Sequence, residues 1–276
     1  MLEIGKFTTL TVDRIKSPGA YLINDNDDDI LLPNKYVDND LKVGDEIEVF
    51  IYLDGEERLV ATTIKPYIKL NDFAALKANN VNKIGAFMDW GLEKDLFIPF
   101  REQERKIKEG YTYLVYMYFD HQTERLVGST KIAKYLDNTN HGLQVRDKVH
   151  LIVWQSSDLG TKVIINKKHL GLLYSNEVFK NLKLGEVTTG FIKKTRSDDK
   201  IDVSLEEISY KNIEPNAQKI LTLLEKNKGF LNLNDKSHPD EIQSMLGISK
   251  KAFKKSLGAL YKKRLVTIDR KGIHLK

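Results

Sequence analysis

The chain has 276 residues, no cysteine and a formal net charge of +5 at pH 7. A chain of this length usually forms two or more domains, and the lack of cysteine excludes disulfides, thiolate metal clusters and a cysteine nucleophile. The N-terminus MLEIGKFTTL has no secretion-signal pattern, and the apolar run LIVW at 151–154 is too short to span a membrane. We therefore expect a soluble, cytoplasmic protein without membrane contact.

Charged residues are distributed unevenly along the chain. Residues 1–68 contain 7 Lys and Arg against 14 Asp and Glu, whereas residues 213–276 contain 14 Lys and Arg against 6 Asp and Glu. A basic C-terminal segment behind an acidic N-terminal segment favours a polyanion as the partner of the basic end. On charge alone, ordinary solvated lysines explain the pattern equally well.

The first three quarters of the chain repeat one pattern three times. Each copy has a glycine that opens a strand and a second glycine, 25 residues later, that opens an alternating strand. The first glycines are Gly19, Gly85 and Gly160, and the second are Gly44, Gly110 and Gly185. A basic residue then begins a closing strand in each copy, at Arg58, Arg125 and Lys200. Units of about 70 residues with short strands and glycine turns predict three small barrels of the five-stranded OB-fold type.

Side chains alternate between two faces in the strand that follows each second glycine. The predicted inner faces are Ile47, Val49, Ile51 and Leu53 in the first copy, Tyr113, Val115, Met117 and Phe119 in the second, and Thr188, Gly190, Ile192 and Lys194 in the third. The predicted outer faces are Glu48, Phe50 and Tyr52 in the first copy, Leu114, Tyr116 and Tyr118 in the second, and Thr189, Phe191 and Lys193 in the third. The inner face of the third copy is the least apolar.

The pattern changes to helical periodicity after Glu214. A first helix is predicted after Pro215, a second between Pro239 and Gly247, and a third after the N-cap candidate Ser249. Two short strands, LVTID and GIHLK, flank the turn RKG. Three helices and a β-hairpin predict a winged helix. The expected fold is mostly β with α, with barrels at 1–67, 68–136 and 137–212 and a winged-helix domain at 213–276.

The third predicted helix has a lysine face. Its inward stripe consists of Phe253, Leu257 and Leu260. The other side carries Lys251, Lys254, Lys255 and Lys262 together with Gly258. Lysine is a flexible point charge, and no Arg, Asn or Gln occurs on the helix before Arg264, so phosphate contacts are favoured over the reading of base edges. A solvated helix face in a protein-binding winged helix is the alternative interpretation.

Three stretches of the second copy, NKIGAFMDWGLEKDLFIP, EGYTYLVYMYFD and ERLVGST, resemble the S1 domain. This domain is the RNA-binding OB-fold module that is repeated in the largest protein of the bacterial small ribosomal subunit. Nearly the whole chain, with three such modules and a helical tail, resembles the CvfB family of bacterial proteins (conserved virulence factor B). The resemblance implies RNA binding and an indirect role in gene expression, including the production of virulence factors.

The S1 resemblance also implies roles for single positions. The aromatic residue of the second strand, which stacks on bases in the family, corresponds to Tyr21 and Phe87, and Lys162 takes its place in the third copy. The basic residue that begins the closing strand in the family corresponds to Arg58, Arg125 and Lys200. The positions of a histidine that is frequent in the family's loop hold Pro33, Pro99 and Tyr174.

Single-stranded nucleic acid is held by aromatic faces that stack on bases and by cations that contact phosphates. The first copy carries the acidic run NDNDDD at 24–29, so we expect it to repel phosphates and to act either as a spacer or as a contact for a protein partner. The candidate RNA-binding residues are therefore Phe87, Trp90, Tyr116, Tyr118 and Arg125 in the second copy, Tyr174, Phe191, Lys193, Lys194, Arg196 and Lys200 in the third, and Lys251, Lys254, Lys255 and Lys262 in the third helix. For each aromatic residue, a place in a core or in a domain interface is the alternative.

The sequence contains no complete motif for catalysis or metal binding. The stretch GEVTTGFI has the glycine spacing of a phosphate loop, but Phe191 and Ile192 replace the Lys and the Ser or Thr that the loop needs. The aspartates at 24–29 imitate a calcium loop without its glycine and its closing glutamate. The six histidines show no ligand spacing. We expect a non-catalytic protein without a cofactor or a metal ion.

Three functions are compatible with these patterns. The first is a monomeric, non-catalytic protein that binds single-stranded RNA with little sequence preference and regulates gene expression after transcription. The second is a winged-helix regulator of transcription that binds duplex DNA, and this function predicts a dimer with paired half-sites. The third is a protein-docking scaffold on the translation or degradation machinery, with the acidic first copy as its contact.

Overall fold

The computed structural model describes residues 3–26, 28–178, 180–206, 214–263, 265–269 and 271–275. The chain divides into two compact units, Met1–Glu207 and Ile208–Lys276. The first unit holds the three repeated copies, and the second holds the helical segment. The expected domain boundary between residues 212 and 213 lies outside the described residues, as does Arg264.

The first copy folds into a closed five-stranded barrel. Its strands are β1 (Phe7–Lys16), β2 (Gly19–Ile23), β3 (Asp29–Pro33), β4 (Glu46–Leu53) and β5 (Leu59–Thr62). They follow one another around the barrel in the order β1-β2-β3-β5-β4. The pairing of β3 with β5 is parallel and that of all other neighbours antiparallel, as expected for a Greek-key barrel of the OB type.

The second and third copies repeat this topology. The second consists of β6 (Phe73–Val81), β7 (Gly85–Asp89), β8 (Leu96–Pro99), β9 (Thr112–Asp120) and β10 (Arg125–Ser129). The third consists of β11 (Lys148–Ser156), β12 (Gly160–Ile165), β13 (His169–Tyr174), β14 (Val187–Thr195) and β15 (Ile201–Ser204). The third barrel is closed, whereas the second is a five-stranded sheet that opens between β8 and β10. The predicted fold class of three OB-like barrels is confirmed.

The first glycine of the repeat allows the second and third strands to approach closely in all three copies, and a Cβ atom on Gly85 would lie 2.4 Å from the carbonyl oxygen of Ile98. Gly19 and Gly160 have φ angles of +150° and +158°, which side chains rarely adopt. A Cβ atom on Gly19 would lie 2.0 Å from the carbonyl oxygen of Leu32, and one on Gly160 would lie 2.1 Å from that of Leu173. The missing side chain therefore lets the second strand start in close contact with the third.

The predicted inner faces are confirmed at their centres. Val49 and Ile51 lie in the core of the first barrel, Val115 and Met117 in the core of the second, and Ile192 in the core of the third. The prediction that Lys194 lies on the inner face is wrong, because this residue is exposed. The register of β14 with β15 shifts between Ile192 and Lys194, and such a bulge reverses the alternation beyond it.

The outer faces of the first two barrels are buried as well, because each barrel packs on the next. Phe50 is fully buried, and its ring centroid lies 5.9 Å from that of Trp90 in the second barrel. Leu114 of the second barrel is buried in one cluster with Ile152 and Ile164 of the third. Each fully buried apolar side chain contributes about 1.5–3 kcal/mol, so these contacts join three small barrels into one unit.

The second unit is a winged helix. It contains α1 (Pro215–Lys226), β16 (Phe230–Leu231), α2 (Pro239–Leu246), α3 (Lys250–Lys262), β17 (Val266–Ile268) and β18 (Ile273–Leu275). The strands form a sheet in the order β16-β18-β17. The predicted helix boundaries are confirmed. Pro215 and Pro239 begin α1 and α2, and Gly247 follows the end of α2 with φ +65°. The Ser249 hydroxyl accepts a hydrogen bond from the Ala252 amide at 3.3 Å and so caps α3. The sequence patterns missed β16, whose two residues are too few to show a period.

Candidate nucleic-acid interface

The outward side of the second and third strands is where OB-folds bind oligonucleotides. The three barrels place different residue pairs there, directly opposite each other in the sheet. The pairs are Tyr21 with Leu31, Phe87 with Phe97, and Lys162 with Leu172. Only the second barrel therefore offers two aromatic rings at this position.

Phe87 and Phe97 line an apolar cleft on the second barrel. Their ring centroids are 5.2 Å apart at an interplanar angle of 41°, and both side chains are half-buried. The cleft has a volume of about 580 Å³, and Tyr52 and Leu53 of the first barrel belong to its wall. A planar base is an apolar surface with a π face, so this cleft has the shape and the chemistry to hold one.

Two arginines lie at the rim of the cleft. The Arg101 side chain is 60% exposed and donates a hydrogen bond to Asp120 at 3.1 Å. The Arg125 side chain is 50% exposed and forms an ion pair with Glu57 of the first barrel. An ion pair exposed on both sides contributes only about 0–1 kcal/mol, so a phosphate group can replace Glu57 at little cost. Arg101 keeps the buried Asp120 as its partner, and its remaining N–H groups are the donors it offers to a phosphate.

The acidic groups at the cleft have different environments. Hydrogen bonds from the backbone amide of Gln122 and the hydroxyl of Thr123 hold the pKa of Asp120 below its usual value, and the charge of Arg101 adds to this effect. Burial raises the pKa of Asp95, and the charge of Asp89 acts in the same direction. Asp120 therefore stays ionised at neutral pH and keeps the Arg101 guanidinium in place at the rim.

Trp90 is not available for stacking on a base. Its side chain is 3% exposed, and its indole lies between the barrels against Phe50 and Tyr52 of the first barrel. The indole N–H donates a hydrogen bond to the carbonyl of Lys94, whose ammonium group donates to the carbonyl of Asp54 at 2.8 Å. Trp90 thus supports the floor of the cleft and fixes the loop between β7 and β8.

Tyr116 and Tyr118 lie on the outer face of β9, away from the cleft residues. Tyr116 stacks on Tyr135 with ring centroids 4.0 Å apart, and its hydroxyl donates to Asn71 at 3.2 Å. Tyr116 belongs to the cluster that packs on the third barrel. Burial raises the pKa of Tyr118 to about 12. Both rings are half-buried, and Tyr116 lies in the junction between the second and third barrels.

In the first barrel, the aromatic ring of Tyr21 is covered by the guanidinium of Arg14 from the same barrel. The Arg14 guanidinium lies over the Tyr21 ring at 4.1 Å and donates to Asp13 at 2.6 Å and to Asp29 at 2.5 Å. Arg58, at the start of the closing strand, is likewise paired with Asp54 at 2.7 Å. Both positions that the S1 resemblance points to are therefore occupied by intramolecular contacts.

In the third barrel, two of the predicted contacts are part of an internal network. Arg196 donates to Asp202 at 2.8 Å and also to the hydroxyl of Tyr174, and Asp202 is buried. A buried carboxylate needs its partner, so Arg196 and Tyr174 stabilise the barrel. Lys200 pairs with Asp198 at 2.7 Å at the surface.

The remaining predicted residues of the third barrel are open to solvent. Phe191 is half-buried and Lys194 is exposed. Lys193 pairs with Glu177 and lies 5.9 Å from the ring of Tyr174. These three side chains come from one strand, β14, and they are not part of the cleft on the second barrel.

The lysine face of the winged helix is formed as predicted. Phe253, Leu257 and Leu260 are buried on the inner side of α3. The side chains of Lys251, Lys254, Lys255 and Lys262 are exposed. A Cβ atom on Gly258 would meet no heavy atom within 4 Å, so the surface beside the lysines is open.

The sequence patterns missed Phe97 and Arg101. Both follow from the course of β8: Phe97 lies opposite Phe87, and Arg101 follows two residues after Pro99, which ends the strand. The signal was the alternation in LFIP, which places Phe97 on the side opposite the buried Leu96 and Ile98. Pairing β7 with β8 in the correct register would have identified Phe97.

Neither a metal site nor a membrane span was found in the part of the chain that the structure describes. No group of three or more His, Asp or Glu side chains among the described residues is arranged to hold a metal ion. None of the helices in the described ranges has the length and apolar character that crossing a membrane requires.

Comparisons with known proteins define the class of these domains. The sequence model described as an S1 domain matches residues 4–64, and the one described as a CvfB-like winged helix domain matches residues 218–275. Both are domains of nucleic-acid-binding families and not of catalytic ones. The chain therefore contains domains of two nucleic-acid-binding families.

Several relatives match this chain over most of its length. Conserved virulence factor B of Staphylococcus epidermidis is 24% identical over 96% of this chain and 92% of its own length. The uncharacterized protein YitL of Bacillus subtilis is 28% identical over 94% of this chain and 89% of its own length. The resemblance to the CvfB family is thereby confirmed. A crystal structure of a multidomain protein with nucleic acid binding domains from Streptococcus pneumoniae is 27% identical and covers 99% of this chain and 98% of its own, with a TM-score of 0.48.

The different environments of the two tryptophans predict a fluorescence result. In Trp154→Phe only the buried Trp90 emits, so we expect blue-shifted emission that acrylamide quenches poorly. In Trp90→Phe only the half-buried Trp154 emits, and we expect clearly stronger quenching. Equal quenching of the two variants would contradict the place of Trp90 in the junction.

Proposed function

We propose that the chain binds single-stranded RNA and that the cleft of the second barrel takes its bases. The observation that carries this proposal is the pair of Phe87 and Phe97 across β7 and β8, in an apolar cleft with Arg101 and Arg125 at its rim. Stacking on an aromatic side chain contributes about 1–3 kcal/mol per base. The arginines add contacts to the phosphates on either side of the stacked base.

The chemistry of the cleft favours an unpaired strand. In a duplex the faces of the bases are covered by their neighbours, whereas an unpaired base can leave the stack and enter an aromatic cleft. Stacking depends little on which base is present, because every base has a π face. Binding with low sequence preference follows from this arrangement.

The winged helix adds positive charge to this binding. Its four exposed lysines on α3 suit contacts with phosphates more than contacts with base edges, because an ammonium group has no fixed geometry. Two weak sites on one chain bind a long polynucleotide more tightly than either site alone, since the second contact forms at a high effective concentration. The third barrel adds cations through Lys193 and Lys194, and Lys200 lies at the surface of the same barrel.

The wider biological role is proposed by extension from the relatives. Proteins named Conserved virulence factor B match this chain over most of its length, and we extend to it a role in gene expression after transcription. It acts as a monomer and without catalysis, in the cytoplasm. The first barrel, whose Tyr21 and Arg58 are occupied by internal contacts, serves as a contact for a protein partner.

Removing both rings of the cleft tests the proposal. We expect Phe87→Ala combined with Phe97→Ala to weaken the binding of a short single-stranded RNA by about 5- to 150-fold, the equivalent of ~1–3 kcal/mol of stacking. Fluorescence anisotropy with a labelled oligouridine at low salt measures the change. Tyr111→Ala is the matched control, because Tyr111 is an exposed aromatic residue of the same barrel outside the cleft.

The same assay separates the alternatives. Wild-type protein should bind single-stranded RNA more tightly than duplex DNA of matched length. Tight, sequence-dependent binding of duplex DNA by a dimer would instead support a regulator of transcription. No binding of any nucleic acid at low salt would contradict the proposal and leave a protein-docking scaffold.

The lysine face predicts a change in salt dependence. Replacing Lys251, Lys254 and Lys255 by alanine should weaken RNA binding and reduce the slope of log K against log salt by up to about 2, since each phosphate contact on a single strand contributes about 0.7. The control removes the same charge elsewhere in the unit, with alanine at Lys219, Lys226 and Lys236, which are exposed outside α3. An unchanged slope in the α3 variant would show that this face does not contact phosphates.

A further inference from the structure

Each barrel has a face on its first and fourth strands that can be compared position by position. In the first barrel Phe7 lies opposite Phe50 and Thr9 opposite Glu48. In the second, Phe73 lies opposite Tyr116 and Ala75 opposite Leu114. In the third, Lys148 lies opposite Phe191 and His150 opposite Thr189. We call this surface, together with Tyr52, Tyr118 and Lys193 on the fourth strands, the junction face.

The junction face of the first two barrels is covered by the next barrel in the chain. Phe50 and Tyr52 are at most 3% exposed beneath Trp90 of the second barrel. Phe73 and Leu114 are at most 6% exposed and pack with residues of the third barrel. An ion pair between Asp72 and Lys167 of the third barrel, 2.6 Å long, lies beside this contact. The junction face of the first barrel is therefore a docking surface for the second barrel, and that of the second barrel is a docking surface for the third.

The third barrel has the same surface, and no fourth barrel is present among the described residues to cover it. Lys148 and His150 are exposed and Phe191 is half-buried. Val187, at the start of β14, is 68% exposed. The third barrel thus keeps the central aromatic residue of the junction face at Phe191 and leaves it accessible.

The residues around this ring have changed from apolar to cationic. Lys148 stands where the first two barrels have Phe7 and Phe73, and Lys193 stands where they have Tyr52 and Tyr118. Neither Lys148 nor Lys194 forms an ion pair with another described residue. A ring with lysines on both sides does not complement the apolar surface of another barrel, because the ammonium groups would lose their water without a partner.

We infer that the junction face of the third barrel is a second contact for single-stranded nucleic acid, separate from the strand pair that carries the cleft in the second barrel. Phe191 stacks on a base, and Lys148, Lys193 and Lys194 contact the phosphates around it. The pairing of an aromatic face with flanking cations is the arrangement that suits an unpaired strand. This inference rests on the proposed function, since both sites bind the same polymer.

The length of the RNA separates the two sites. An OB barrel covers about 4–16 nucleotides, so an oligouridine of about 8 nucleotides occupies one site and one of about 30 nucleotides can reach both. The full chain with Phe191→Ala and Lys148→Ala should bind the long RNA at least about fivefold more weakly, the loss of one stacked base. Its affinity for the short RNA, which the cleft holds, should stay within about twofold of wild type.

Two further variants keep this test decisive. Lys148→Glu alone leaves the half-buried ring in place and should still weaken binding of the long RNA. Lys16→Glu combined with Lys42→Glu, at exposed positions of the first barrel, should have a smaller effect despite the larger change in net charge.

The outcomes distinguish this inference from the proposed function. Unchanged affinity of the junction-face variants for the long RNA would overturn the inference and leave the surface to a protein partner, with the cleft unaffected. An equal loss for both RNA lengths would also overturn it, because the face would then not be a separate contact. Failure of the wild-type protein to bind the short RNA would instead contradict the cleft as a binding site.

Discussion

The structure depends on the packing of each barrel's outer face against the following barrel. A barrel of about 70 residues buries too little surface to be very stable alone. Burial of Phe50 against Trp90, and of Leu114 against Ile152, adds apolar contacts at both junctions. The same packing gives the cleft its wall, since Tyr52 and Leu53 belong to the first barrel and Phe87 and Phe97 to the second.

This packing assigns different tasks to copies of one module. The first barrel covers its own aromatic residue with Arg14 and holds a wall of the cleft. The second presents two rings on its second and third strands. No further barrel follows the third in the described residues, and its outer face carries lysines in place of aromatic residues of its predecessors. The repeat therefore yields two aromatic surfaces of different origin in one unit.

Much of the fold could be predicted from the sequence because it depends on local patterns. The glycine spacing identified three barrels, and Pro239, Gly247 and Ser249 marked the helix ends of the winged helix. The site was less predictable. Alternation with a period of two shows which side chains share a face, but it does not show that another barrel covers that face. Trp90 and Tyr116 were assigned to RNA for this reason and instead lie in junctions.

Three other differences have equally specific causes. A bulge in β14 turns Lys194 outward, and bulges depend on strand pairing that one strand's sequence does not show. Arg196 was predicted to contact RNA, but it pairs with Asp202 on the neighbouring strand β15. Phe97 became visible only when the register of β7 and β8 set it opposite Phe87.

Photo-crosslinking of the full chain to a single-stranded RNA that contains 4-thiouridine tests the central claim most directly. Mass spectrometry of the crosslinked peptides identifies the residues that touch bases. If barrel packing leaves the cleft as the main site for bases, the crosslinks should concentrate in residues 85–101, around Phe87 and Phe97. Crosslinks concentrated in residues 19–33 of the first barrel, with none in 85–101, would contradict this account.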